Sequence, residues 1–205
     1  EESIVKVKTE IKKNKVTVID GTASLEANKI LSIDNNGKKT SINATNIIIA
    51  TGARPRTLHG FEPDGKQIIT SKEAMVLDNL PKSMIIVGSG AIGIEFASFY
   101  NALGTDVTII EVQNRILQAE DEEISSMAQK IFEKKGIKIH TGAKILRHTK
   151  NKDNITIEVE LGGKKEKLQA EILLMAVGIV GNVENLNLEK TKIKIDRGHI
   201  ITNQF

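Results

Sequence analysis

Residues 84–111, MIIVGSGAIGIEFASFYNALGTDVTIIE, constrain the fold of this chain more than any other stretch. Residues 84–87 are apolar throughout and predict a buried strand. Gly88-Ser89-Gly90-Ala91-Ile92-Gly93 follows at once. A helical stretch then runs to about Leu103 and stops at Gly104, and a second apolar strand over 107–110 ends on Glu111. That order is a βαβ unit with a dinucleotide fingerprint at its first turn. Gly88 permits the sharp turn from strand to helix. Gly90, without a side chain, lets a pyrophosphate approach the backbone, and Gly93 allows the helix to pack closely on the strand. The free N–H groups and positive end of the helix then face the phosphates. Glu111 falls close to the roughly 20 residues past the glycines at which an acid takes the ribose 2′-OH. A carboxylate there repels a 2′-phosphate and favours NAD over NADP, with Arg115 near enough to soften the preference. A structural glycine turn and a different Rossmann ligand are the competing readings of the same motif.

The rest of the chain narrows the partner classes. Its 205 residues hold one large domain or two small ones, and 40% hydrophobic content is enough for a packed core. Net charge is only +3, aromatics are 3% and Trp is absent, so stacking surfaces for nucleic acid are not expected. No apolar run approaches the roughly 20 residues of a membrane span, and no signal peptide is visible. The absence of Cys excludes a disulfide framework and thiolate metal sites and fits a cytoplasmic protein. His59, His140, His148 and His199 have no ligand spacing, so no metal site is expected. Lys164, Lys165 and Lys167 read as solvating charges beside a hairpin. The chain begins at Glu1 rather than Met, from which a preceding segment is expected.

Residues 1–13 carry Ile4, Val7 and Ile11 at helical spacing and predict an amphipathic helix. Residues 15–19 predict a strand. Residues 23–25, 29–33 and 40–43 predict short antiparallel strands, with Asn35-Asn36-Gly37 as the tightest turn. Residues 47–50 predict a buried strand entering Thr51-Gly52, and 54–80 a connection punctuated by Pro55, Pro63 and Pro81. A helix is expected over 120–135, with acids first and lysines last, ended by Gly136. Residues 137–140 predict the third strand of the central sheet. A strand cluster follows over 143–148, 155–161 and 166–168, turning at Gly162-Gly163, and then a buried run over 171–177. Residues 81–178 thus form one compact α/β domain. The run at 47–50 needs parallel neighbours on both sides, yet 1–80 offers none, so the flanks read as parts of a second domain.

ATGARPR at 50–56, VGSGAIGIEFASFYNALGTDVTIIE at 87–111 and LLMAVGIVGNVENLNLE at 173–189 resemble the flavin-dependent pyridine nucleotide–disulfide oxidoreductases. The similarity covers essentially the whole chain in order, and IGIE at 92–95 followed by LGTDVTIIE is its most specific stretch. The resemblance implies an α/β chain: a Rossmann-like NAD-binding domain of three-layer ββα character over 81–178, interrupting an incomplete FAD domain. Residues 1–80, with a β-meander, are its middle part, and 179–205 the return into it. It implies that Gly88, Ser89, Gly90, Ala91, Ile92 and Gly93 hold the NAD pyrophosphate. Glu95 then lies near the nicotinamide, Glu111 binds the adenosine ribose, Ala143 touches the adenine end, and Gly178 lets the backbone approach NAD. On the flavin side Ala23 contacts the adenine of FAD through its backbone, and Thr51 and Gly52 border the flavin.

Within the family, the branch that oxidises protein-bound dihydrolipoamide is the most similar. That implies electron flow from a dithiol through a Cys pair and FAD to NAD, in a homodimer served by the lipoylated acyltransferase of 2-oxo acid dehydrogenase complexes. The redox Cys pair, the N-terminal flavin fingerprint and the catalytic His and Glu of the family fall outside this sequence, so no catalytic residue is assigned and the 205 residues alone are expected to be inactive. Many relatives carry Arg where this chain has Ile179, which removes any polar contact made there. Rival readings are a mercuric, glutathione or trypanothione-type reductase of the same family, or a non-catalytic NAD-sensing module.

Overall fold

The structure is a computed structural model describing residues 2–204; the first residue of the expected N-terminal helix and the last of the expected 179–205 segment lie outside the described residues. Two compact units divide the chain at Gly52/Ala53 and again at Val180/Gly181.

The unit Ala53–Val180 is built on five parallel strands in the order Ile68–Thr70, Ile172–Met175, Ser83–Val87, Asp106–Ile110, Lys138–His140. Ile172–Met175 and Ser83–Val87 lie inside the sheet and read as unbroken apolar runs because both of their faces are covered. Strand periodicity sorts the side chains. Ile85, Val87, Ile110, Leu173 and Met175 share a core with Ile155, Ile157 and Val159, while Met84, Ile86, Val107, Ile109 and Leu174 pack with Ile94, Ala97 and Tyr100. The first core is roofed by an antiparallel meander, Lys144–Lys150, Ile155–Leu161 and Lys164–Ala170. The second is roofed by helices. The result is the expected three layers: antiparallel sheet, parallel sheet, helices.

Local chemistry fixes these elements. Gly162 and Gly163 both hold positive φ and close a two-residue hairpin between Leu161 and Lys164. The helix Glu122–Lys134 is capped by the Asp121 carboxylate, which accepts the N–H groups of Glu123 and Ile124. The helix Ala91–Ala102 ends at Leu103, and Gly104, at φ +97°, takes the left-handed turn that a helix stop requires.

One expectation for this unit is corrected. Residues 54–80 are not merely a connection: Ile68–Thr70 is a fully buried strand of the central sheet, and a capping box of Thr70 and Glu73 starts the short helix Ser71–Ala74. The strand is organised from upstream by Asp64, whose carboxylate accepts the N–H groups of Lys66, Gln67 and Ile68 at 2.9 Å each and pairs with Lys150 at 2.7 Å. Burial opposes ionisation of Asp64, but the Lys150 ammonium and the three N–H groups outweigh it and hold the carboxyl well below the usual carboxylate range. Asp64→Ala is expected to cost the unit about 2 kcal/mol, read by urea unfolding. Because the folded group is the stronger acid, its contribution is complete above about pH 4 and fades as pH falls through the lowered folded value. The variant therefore loses less stability than the parent on acidification, and parallel curves would refute the assignment.

The other unit takes the residues up to Gly52 and those from Gly181 on. It holds the expected meander, Thr22–Glu26, Ile30–Asn35 and Lys38–Asn43, turned at Asn36 and Gly37, both with positive φ. Leu25 N–H donates to Leu186 O at 2.9 Å, and Lys190 pairs with Glu26, so the return segment is tied to the meander. The helix Glu2–Lys13 forms as expected, with Ile4, Val5 and Val7 exposed. Two strand expectations are overturned. Residues 15–19 and 47–50 adopt no ladder among the described residues; Val16, Val18 and Ile19 are exposed, and Ile48 is 91% exposed. An apolar run without a partner strand cannot satisfy its backbone as a sheet, whatever its propensity.

Candidate functional site

The three glycines of the 88–93 turn are required for different reasons. Gly88 sits at φ +100°, and a Cβ there would lie 2.3 Å from Ala176 O. A Cβ on Gly93 would lie 2.0 Å from Gly88 O. The protein's own packing thus demands both. Gly90 differs: its φ is −67°, which any residue adopts, and a Cβ there meets nothing within 4 Å. No intramolecular contact explains its glycine. It is the N-cap of Ala91–Ala102 and supplies no side-chain hydrogen bond to that helix. The open surface at Gly90, Ala91 and Ile92 therefore presents uncapped N–H groups and the positive helix end, an arrangement suited to a phosphate.

This turn lies at the carboxyl end of Ser83–Val87. From that strand the chain runs through the helix to Asp106–Ile110 on one side, while Ile172–Met175 flanks it on the other. The strand ends around such a switch point form the usual ligand crevice of open α/β sheets. Ala176-Val177-Gly178 borders it: Ala176 N–H donates to Val87 O, and Gly178 is exposed at φ +102° with its carbonyl accepting Arg56 N–H at 2.9 Å. Ile179 beside it is exposed and apolar. Glu95 is exposed on the fifth residue of the helix.

Glu111 is only 7% exposed. Its Oε2 accepts Ser89 N–H at 2.8 Å and Ser89 Oγ–H at 2.7 Å, and its Oε1 accepts Gln113 N–H at 2.8 Å. The acid that the sequence places beyond the second strand is thereby brought under the glycine turn. Ser89 itself is 1% exposed, so its side chain faces Glu111 rather than the open crevice. Ala143 is 1% exposed, and its N–H donates to Glu111 O at 2.8 Å, so its amide is committed within the protein. The Ser89–Glu111 contact was not expected; the two residues are 22 apart and nothing in their spacing announces it. Arg115 donates from Nη2 to Gln118 O, and its Nη1 is buried with no hydrogen-bond partner.

In the other unit, Thr51 and Gly52 are stitched to Asn182. Thr51 Oγ–H donates to Asn182 O at 2.7 Å, Asn182 Nδ2 donates to Thr51 O at 3.0 Å, and Asn182 N–H donates to Gly52 O at 3.0 Å. Asn182 is a partner of the candidate Thr51-Gly52 turn that sequence reasoning missed, because it stands 131 positions from Thr51. Gly52 holds φ +76°, a conformation other side chains resist. Ala23 is exposed on the meander, opposite Ile33.

The histidines stay apart: His59 contacts Glu62, and the ring of His148 packs on Phe61 at 5.1 Å. Among the described residues no cluster of three metal-binding side chains forms, and no helix is long and apolar enough to cross a membrane.

A family model described as pyridine nucleotide-disulphide oxidoreductase matches residues 2–205. The dihydrolipoyl dehydrogenase of Rhizobium etli is 44% identical over 211 residues, which take in 95% of this chain and 44% of that protein. The dihydrolipoyl dehydrogenase of Bacillus subtilis is 46% identical over 160 residues, 77% of this chain and 34% of that one. Among solved structures, LpdA from Mycobacterium tuberculosis superimposes with a TM-score of 0.82 at 27% identity, covering 95% of this chain and 43% of that one. The flavoprotein disulfide reductase RclA from Escherichia coli, as its Cu(II) complex, gives 0.76 at 27% identity over 90% of this chain and 41% of that one. The chain spans less than half the length of each of these relatives.

Proposed function

Because the chain belongs to the pyridine nucleotide-disulphide oxidoreductases, we propose that it is the NAD-binding portion of a dihydrolipoyl dehydrogenase. The family uses FAD and NAD, and hydride exchange between flavin and nicotinamide is the chemistry those cofactors supply when bound. The residues of this chain bind and orient. The observation that carries the reading is Gly90: a glycine with open space around it, no conformational need and an uncapped helix behind it. A pyrophosphate approaching that backbone gives it a reason to be glycine.

In this reading the NAD-binding domain expected over 81–178, which lies within the unit Ala53–Val180, takes NAD. Gly88, Ser89, Gly90, Ala91, Ile92 and Gly93 form the pyrophosphate turn, Glu111 takes the adenosine ribose, and Ala143 backs the adenine end. Gly178 and Glu95 lie toward the nicotinamide. The unit with the meander takes part of FAD through Ala23, Thr51 and Gly52; Thr51-Gly52, held rigid by Asn182, suits a cofactor border. The whole protein oxidises protein-bound dihydrolipoamide as a homodimer serving 2-oxo acid dehydrogenase complexes, with the lipoylated acyltransferase as its partner.

Calorimetric titration tests the coenzyme role. NADH is expected to bind more tightly than NADPH by tenfold or more, since the Glu111 carboxylate repels a 2′-phosphate. A preference for NADPH would remove the ribose role of Glu111. A second measurement tests the division of labour. The chain contains no Cys to carry electrons from a dithiol, so the 205 residues are expected to show no dihydrolipoamide oxidation, and with only part of the flavin site they are expected to purify colourless. Flavin absorbance or turnover would overturn that expectation.

A further inference from the structure

The hydroxyl of Ser89 has a role that the fingerprint does not assign. A carboxylate presents about four lone-pair directions. On Glu111 three are taken, by Ser89 N–H, Ser89 Oγ–H and Gln113 N–H, which leaves one. Both partners are buried, so water does not compete for the contacts. Ser89 also grips the far end of the same loop, because its carbonyl accepts Leu117 N–H at 2.9 Å. One residue therefore pins the segment that follows Asp106–Ile110 at both ends. Its hydroxyl proton is committed to the acid, and it fixes which direction the remaining lone pair faces.

We infer that Ser89 is a positioning residue for coenzyme selection: through its hydroxyl it holds Glu111 in the one orientation that accepts a ribose hydroxyl and rejects a 2′-phosphate. The inference rests on the coenzyme reading of the glycine turn. A loosened carboxylate can rotate away from a 2′-phosphate, so loss of the hydroxyl harms NADH binding more than NADPH binding. Removal of a merely structural hydroxyl lowers both affinities by the same factor.

The test is a double-mutant cycle of Ser89→Ala and Glu111→Ala, with NADH and NADPH affinities measured by calorimetry and folding checked by thermal unfolding. Ser89→Ala is expected to weaken NADH roughly tenfold, the worth of one hydrogen bond to a charged group. NADPH is expected to change less than about threefold, so the preference narrows. In the Glu111→Ala background the same substitution is expected to leave the preference unmoved. Ser89→Gly, which lacks the same hydroxyl in a turn that tolerates glycine, repeats the measurement if Ser89→Ala does not fold. Equal weakening of both coenzymes, or the same narrowing without Glu111, overturns the inference while leaving the site intact. Failure of the parent chain to bind NADH at all overturns the site reading instead.

Discussion

Gly90→Val is expected to abolish NADH binding, by a hundredfold or more, while the Ala53–Val180 unit keeps a cooperative unfolding transition. The two outcomes separate because position 90 is free of internal constraint. Its φ of −67° suits valine, and no atom lies within 4 Å of the added Cβ. The internal cost is that of a poor helix N-cap, about 1 kcal/mol. Binding meets a different situation. The branched side chain stands over the uncapped N–H groups that a pyrophosphate must reach, and it keeps the diphosphate beyond hydrogen-bond distance. Gly93→Ala is the control with the opposite profile. Its Cβ would lie 2.0 Å from Gly88 O, a backbone atom that cannot swing away, so turn and helix must separate. That variant is expected to lose stability and binding together. Calorimetry and thermal unfolding on both variants give the contrast. Unaltered NADH affinity in Gly90→Val would remove the turn from the binding site.

The same glycines mark how far the sequence alone reaches. Local rules were enough wherever a turn or a cap lies within a few residues of what it controls. The alternation of Ile155, Ile157 and Val159 and the turns at Asn35-Asn36-Gly37 and Gly162-Gly163 appear where the residues predict them, while the Asp121 cap starts its helix two residues later than the charge pattern suggests. Elements whose deciding partner is distant carry no such local mark. Ile68–Thr70 is three residues long, too short to show a period, and becomes a strand only because Ile172–Met175 lies beside it. Residues 15–19 and 47–50 err in the other direction: their composition favours strands, but no partner is present among the described residues, and Ile48 stands in solvent. The site divides along the same line. The candidate turn is one contiguous motif and can be read as such. The Ser89–Glu111 and Thr51–Asn182 contacts cannot, since neither pair is related by any period of helix or strand.

Glu111→Gln is expected to lower the stability of the Ala53–Val180 unit by about 1 to 3 kcal/mol and to bring NADH and NADPH affinities toward each other. The stability loss follows from counting donors. Every group around the carboxylate donates to it: Ser89 N–H, Ser89 Oγ–H and Gln113 N–H. An amide keeps one accepting oxygen and replaces the other with a donating NH2. With the oxygen toward Ser89, the NH2 confronts Gln113 N–H; with the oxygen toward Gln113, it confronts Ser89 N–H. The Ser89 hydroxyl can turn to accept from the NH2, but neither backbone N–H can, so either orientation leaves one N–H unpaired at a site only 7% exposed. A fall of several degrees in the melting temperature reads this out. The binding change has a separate cause. Loss of the negative charge weakens the grip on the ribose hydroxyl and removes the repulsion that a 2′-phosphate meets. NADH therefore weakens by about tenfold while NADPH holds or improves. The variant separates the two duties of this acid, since the donor mismatch acts without coenzyme and the charge acts only with it. A lower melting temperature with an unchanged NADH preference would leave Glu111 as the anchor of the turn and transfer ribose selection to another residue.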